Sequence, residues 1–261
     1  MVRNEVKAKI AEGKTVFGVY VHIPSPAIIE PLALSGLDFV RLDPYHASYT
    51  RETLENMTRA AYGIGVTPWA RVRNDPWEIM TTLDAGVQII TVPNVGTADE
   101  ARRAVSAAHY PPHGERESNR PNRFRHFTDA EYLDWVEREV WVSVQIEGRN
   151  GIENYQEIIA VDGVNVIQTG GNDIALALGL TGTGLGRFHP KVLEIEARIA
   201  DAALTAGKQV SLNTDLSPRG LEYVQSWIDK GVRIFTLGID AVAIMNAFRV
   251  FLSNFHAAEK T

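Results

Sequence analysis

The stretch GLDFVRLDPYH, Gly36–His46, decides the fold. A glycine closes the segment before it, the short β-branched run Phe39–Asp43 follows, and Pro44-Tyr45-His46 leads to a helical segment opening at Thr50. An apolar strand that ends on polar groups and feeds a helix is one turn of a βα repeat. The same pattern recurs through the chain, with strand-like runs at Val16–Ile23, Phe39–Asp43, Val66–Val72, Ile89–Val95, Val142–Glu147, Val164–Gly170, Gln209–Asn213 and Ile234–Gly238. Helix starts are signalled by Ser25-Pro26, Thr50 with Glu52, Asp75-Pro76, Thr97 with Asp99 and Glu100, and Ser217-Pro218. In each, a side-chain oxygen is placed to cap free N–H groups, and proline or an early carboxylate suits the first turn. Glycine stops stand at Gly36, Gly86, Gly163, Gly207 and Gly231. Eight such units in 261 residues predict an α/β fold, a (β/α)8 TIM barrel in one domain spanning 1–261. An open doubly wound sheet fits less well, because Pro24-Ser25-Pro26-Ala27 stands where a glycine-rich phosphate turn belongs.

Composition narrows the chemistry. The chain has no cysteine, which excludes disulfide scaffolds, thiolate-bound zinc, iron–sulfur clusters and a thiolate nucleophile. With 26 basic and 32 acidic residues the net charge is −6, which argues against a nucleic-acid partner. No window approaches the ~20 apolar residues of a membrane span, and the first residues lack a signal-peptide core, so a cytoplasmic protein without a membrane partner is expected. The basic loop HGERESNRPNRFRH, His113–His126, stands apart. It reads either as a solvated loop or as an arginine-rich flap at the barrel mouth over an anionic substrate.

Reacting groups of such barrels come from the C-terminal ends of the strands. That rule collects Asp43 and His46, Arg71, Asn94, Gln145 and Glu147, Asn172 and Asp173, Asn213 and Asp215, and Asp240 around one mouth. Asp215 and Asp240 read first as helix caps, whereas Glu147 directly after VSVQI has no capping role. Glu147 and Asp173 end adjacent strands, so their carboxylates can converge on a hard divalent cation such as Mg2+ or Mn2+. Arg71 offers a fixed fork to a carboxylate or enolate oxygen, and His46, oriented by Asp43, can move protons; His22 is the other histidine near a strand end. None of the seven lysines ends a strand, which disfavours a Schiff-base aldolase and leaves metal-assisted enolate chemistry.

These residues resemble the HpcH/HpaI aldolase family, metal-dependent (class II) pyruvate aldolases acting on 4-hydroxy-2-oxo acids. The likeness is carried by Leu42-Asp43 with His46, Asn74-Asp75-Pro76, Leu83-Asp84-Ala85-Gly86, Val92-Pro93, Ala98-Asp99-Glu100-Ala101, Tyr110-Pro111-Pro112 with Gly114, Gln145-Ile146-Glu147, and Gly170 to Asp173. The resemblance implies a Mg2+, Mn2+ or Co2+ ion held by Glu147 and Asp173, and an enolate-stabilising Arg71 or Arg73, since the segment before Asn74 is one residue short of the family pattern. It also implies His46 with Asp43 as acid/base pair. Gln145, Gly171, Asn172, Asn213 and Asp84 are expected around a 2-oxo acid and an aldehyde, with Asp84 reaching a neighbouring subunit. A homohexamer exchanging the C-terminal helix Ala241–Phe255 is the assembly it implies. Oxaloacetate decarboxylation on the same metal site and a non-catalytic binder are the rival readings.

The departures are Pro44 and Tyr45 before the histidine, where relatives carry a small residue and a glutamate or glutamine, Gly171-Asn172 in place of Pro-Ala, and Arg41 at an aliphatic position. Strand alternation puts Arg41 on the face of Asp43, and a buried charge needs a partner. Asp43 or Glu147 is expected to supply it.

Overall fold

Parallel pairing runs β1 to β8 in chain order and closes from β8 back to β1, giving the expected barrel. The computed structural model describes residues 2–258. The strands are β1 (Val16–Val21), β2 (Phe39–Leu42), β3 (Thr67–Arg71), β4 (Ile89–Val92), β5 (Trp141–Ile146), β6 (Val164–Thr169), β7 (Gln209–Thr214) and β8 (Ile234–Ile239). The helices are α1 (Glu5–Ala11), α2 (Ile29–Leu34), α3 (Arg51–Ile64), α4 (Pro76–Asp84), α5 (Ala98–Ala108), α6 (Asp129–Glu139), α7 (Arg149–Ile159), α8 (Gly171–Ala177), α9 (Pro190–Thr205), α10 (Pro218–Ile228) and α11 (Asp240–Ala258). The sequence expectations overran mainly at C-terminal strand ends, where polar residues leave the ladder to build the mouth. Thr50, Asp75, Thr97 and Ser217 cap their helices as expected, each accepting a hydrogen bond from the N–H three residues on, whereas Ser25 makes no side-chain cap. No helix of the described residues is long and apolar enough to cross a membrane.

The inward faces of the strands change character from one end of the barrel to the other. At the N-terminal end, Val16, Phe39, Trp69, Ile89, Val166 and Ile234 pack with Val6 of α1, which plugs the barrel floor. Glycine is required beside this layer, because a Cβ on Gly18 would lie 2.3 Å from ring carbons of Phe39. Two residues further along β2, the inward position holds Arg41, and two further Asp43.

Arg41 is wholly buried, but neither carboxylate expected as its partner meets it. Its guanidinium donates to the Tyr20 hydroxyl at 3.2 Å, to Oγ of Ser211 at 3.1 Å and to Oε1 of Gln168, and lies 4.0 Å from the Trp69 ring centroid. Asp43 turns away from it to Arg71. Alternation along β2 gives the right face; the partners are Tyr20 on the neighbouring β1 and, across the barrel, Gln168 on β6 and Ser211 on β7.

The basic loop lies on the barrel flank: it follows the end of α5, where strands begin, and Asn119 to Asn122 with Arg125 line a groove that reaches Tyr45 and Arg73. Arg116 is buried against Asp84 (2.7 Å), Arg123 stacks 3.9 Å from the Tyr62 ring centroid, and Arg120 meets Asp129 at 2.8 Å. Local carboxylates and aromatic faces occupy these arginines.

Substituting Gly18→Ala must push the Phe39 ring out of the floor layer. The expected cost is about 1–3 kcal/mol in urea denaturation, typical of overpacked cores; stability equal to the parent would contradict this packing.

Candidate active site

Asp43 is the centre of the mouth. Its carboxylate is fully enclosed and receives both arms of the Arg71 fork, Nε at 3.0 Å to Oδ1 and Nη2 at 2.5 Å to Oδ2. Oδ2 also meets His22 Nε2 at 2.8 Å and His46 Nδ1 at 3.4 Å. Burial, the largest single influence, pushes the Asp43 carboxyl up, but Arg71 and the two histidines outweigh it and hold it below its ordinary value. Of the two candidate arginines, Arg71 enters the mouth, while Arg73 is exposed and pairs with Glu78. His22 was the weaker sequence candidate, yet its ring is the closer one to Asp43. Asp240, the first residue of α11, holds it in place by accepting from the His22 and Ile23 N–H groups at 2.9 and 3.1 Å, so its carboxylate ties the end of β1 to α11.

Glu147 leaves β5 one residue past its end and is almost fully buried. Asn94, in left-handed conformation at φ 51°, aims its N–H at Glu147 Oε1 (3.1 Å), and the Gln145 amide donates to Oε2. A Cβ on Gly170 would fall 2.0 Å from Glu147 Oε2, so only glycine fits between that carboxylate and the start of α8. Burial first, then the charge and hydrogen bonding of Asp173 at the next strand end, raise the Glu147 carboxyl to about 8. The buried Glu147 carboxylate and the exposed Asp173 carboxylate lie close together, and with Gln145 Oε1 buried and lacking a partner they make a donor set of hard oxygens that fits a divalent cation. Among the described residues no group of three or more Asp, Glu, His or Cys is arranged to hold a metal ion, so a cation at these two carboxylates would complete its shell from water and substrate.

The remaining expected residues divide. Gly171 opens α8 against Arg187 and Glu196, and Asn172 follows it towards Gly186. Asn213 is the last residue but one of β7, with its carbonyl accepting from Arg187 and its Oδ1 at 3.5 Å from Gln168 Nε2. Asp84 is not brought to this mouth: it ends α4 at the opposite side, bound by Arg116 and, at 2.6 Å, by Asn119. It lines a groove of about 1040 Å³ that runs down the flank from Tyr45 and Arg73. Sequence reasoning missed Glu196, which sits fully buried under the Asp173 turn and accepts from Thr169 Oγ1 (3.1 Å) and the Tyr223 hydroxyl (2.8 Å). The signal is in α9 itself: Val192, Ile199, Ala200 and Ala203 put Glu196 on the buried face at helical spacing, and a carboxylate on that face needs partners.

A parallel barrel with paired carboxylates and a buried arginine–aspartate couple at its C-terminal mouth defines an enzyme working with oxygen and nitrogen groups. The chain belongs to the HpcH/HpaI aldolase/citrate lyase family, whose model it matches over residues 16–247. It is 31% identical over 263 aligned residues to the hydroxypyruvate/pyruvate aldolase of Delftia acidovorans, covering 99% of this chain and 94% of that one. The 5-keto-4-deoxy-D-glucarate aldolase of Salmonella paratyphi C is 32% identical over 250 residues, covering 94% and 93%. Among solved structures, the citrate synthase SbnG superposes with a TM-score of 0.89 at 26% identity, covering 99% of this chain and 100% of that one.

Replacing Asp43 with asparagine leaves Arg71 buried without its counter-charge. Removing one partner of a buried pair costs about 3–5 kcal/mol, so Asp43→Asn is expected to lose stability on that order at neutral pH. Because the folded state holds the Asp43 carboxyl below its ordinary 3.8, the parent's advantage is present above that value and fades as pH falls further. Denaturation of both proteins from pH 7 to 3 checks this; an equal gap throughout would exclude the charge pair as its source.

Proposed function

We propose that the protein is a metal-dependent carbon–carbon lyase that reversibly joins a pyruvate-type enolate to an aldehyde and cleaves 4-hydroxy-2-oxo acids. The observation that carries this reading is the juxtaposition of Glu147 and Asp173 beside the Arg71–Asp43 couple, in a family whose aldolase members share nearly the full chain length. Glu147 and Asp173 would hold the divalent ion, Mg2+, Mn2+ or Co2+, which supplies Lewis-acid stabilisation of negative charge on substrate oxygens.

The protein's own groups account for the rest of the cleavage. Arg71, with Nε and Nη2 on Asp43, has Nη1 left to offer the keto oxygen, where charge accumulates as the enolate forms. With His46 Nδ1 turned to Asp43, Nε2 is free to take the proton of the substrate's 4-hydroxyl. The C3–C4 bond then breaks, the aldehyde leaves, and the electron pair becomes the enolate, which is protonated at C3 to give the 2-oxo acid. Gln145, Gly171, Asn172 and Asn213 line the place for the substrate's carboxylate and remaining oxygens. Tyr45 packs edge-on against His46, with ring centroids 4.7 Å apart, and narrows the approach. The reading covers residues 1–261 as one barrel domain.

A homo-oligomer, a hexamer by family resemblance, belongs to the same reading, with Asp84 placed at a neighbour's mouth and α11 packed on another subunit. Within α11 only Asp240 is buried, while Phe248 and Phe251 stand 67% and 69% exposed. Apolar exposure on this scale marks an interaction surface. Phe251→Glu is expected to lower the mass in sedimentation equilibrium, and an unchanged mass would remove α11 from the interface.

EDTA is expected to abolish cleavage of a 4-hydroxy-2-oxo acid, and added Mg2+, Mn2+ or Co2+ to restore it; metal-independent cleavage defeats the proposal. Glu147→Gln should lose metal binding in calorimetry. His46→Ala should keep the metal but slow proton exchange at the pyruvate methyl by about 10²–10⁴. Full exchange in that variant, with loss in His22→Ala instead, would transfer the proton-moving role to His22.

A further inference from the structure

Arg41 is a permanent cation enclosed in the barrel with only neutral partners: the Tyr20 hydroxyl, Gln168 Oε1 and Ser211 Oγ, and its Nε has none. A guanidinium does not shed its proton under conditions proteins tolerate, and apolar residues of similar volume often serve stability better than buried charge. Stability alone therefore does not explain this arginine.

Its contacts lead to the mouth. The Tyr20 hydroxyl receives Arg41 Nη1 at 3.2 Å and Gln168 Nε2 at 2.8 Å, so the phenol is pinned at its oxygen from two sides. The Arg71 guanidinium lies 4.5 Å from the centroid of that same ring, with its Nε and Nη2 on Asp43. Arg71 thus has two supports: a carboxylate that fixes the direction of its fork and an aromatic face that fixes its height.

We propose that Arg41 is a positioning residue: by holding the Tyr20 hydroxyl it seats the ring under Arg71 and sets where the Arg71 fork stands over the mouth. The kinetic part of this inference rests on the aldolase reading; the structural part does not. A displaced Arg71 weakens stabilisation of charge that develops only in the transition state, so kcat falls while substrate binding changes little.

Two variants test it. Arg41→Met removes the donor while keeping bulk, and Tyr20→Phe keeps the ring while removing its hydroxyl. In crystal structures of both, Arg71 is expected to leave its seat on the ring. In both, kcat for oxo-acid cleavage is expected to fall about ten- to a hundredfold, the range a misplaced group produces, with KM altered less than about threefold. The double variant should lose no more than either single one, and Arg41→Lys, which restores one donor, should recover part of kcat. Arg71 seated unchanged in both variants overturns the proposal whatever the kinetics, as does unaltered kcat with Arg71 displaced, or additive losses. If Arg41→Met does not fold, Tyr20→Phe carries both measurements alone. If the parent protein cleaves no oxo acid, the aldolase reading fails while the position of Arg71 still decides this one.

Discussion

The mouth depends on one buried carboxylate. Asp43 sits at the end of a four-residue strand and is reached by Arg71 from β3, His22 from the end of β1 and His46 from its own loop. Neither Asp43 nor Arg71 has much access to water, so each needs the other: a lone buried charge costs far more than a bidentate pair. Because Oδ2 is shared by Arg71 and both histidines, fixing the pair also fixes which imidazole nitrogens face inward. The two histidines, the carboxylate and the guanidinium are therefore one assembly.

That assembly can exist only because the barrel interior is graded. The apolar floor with α1 beneath it keeps water from entering at the N-terminal end. Above it comes a layer of neutral hydrogen-bonding groups, with Trp69 donating to Thr91 at 2.7 Å and Gln168 to Tyr20 at 2.8 Å, and these share the load of Arg41. The charged layer then opens at the strand ends, beside Glu147 and Asp173. The gradient follows from a period of two along each strand, since Phe39, Arg41 and Asp43 project from the same face.

This periodicity also explains what could be read from the sequence. Strand order, glycine stops, most helix caps and the strand-end site residues are local properties, and local pattern recovers them. Contacts across the barrel are not local. Arg41 finds Gln168 and Ser211 on strands far along the chain, and Glu196, which helical spacing puts on the buried face of α9, finds Thr169 and Tyr223 on other elements that the spacing does not name. The basic loop was legible as unusual, but its end of the barrel follows from helix direction: whatever follows α5 begins where strands start. His22 stood in plain view two residues beyond Tyr20, and the same alternation that selected Asp43 also turns it inward.

The change from Pro-Ala to Gly171-Asn172 before Asp173 has a physical counterpart in what surrounds that turn. The Gly170 backbone fills the gap beside Glu147, leaving no room for a side chain, and a Cβ on Gly171 would already come within 2.9 Å of Arg187 and 3.0 Å of Glu196. A turn with two glycines lacks the intrinsic stiffness that proline gives, so its shape must be imposed from outside. Thr169 and Tyr223 both hydrogen-bond to Glu196, and Arg187 ties the same region to the β7 carbonyl of Asn213. Rigidity absent from the backbone is thereby supplied by a buried polar brace joining β6, α9 and α10 under the residue that faces Glu147. The turn that carries Asp173 is thus braced from below by neutral and charged groups of three elements, as Arg71 is braced by Asp43 on the other side of the mouth.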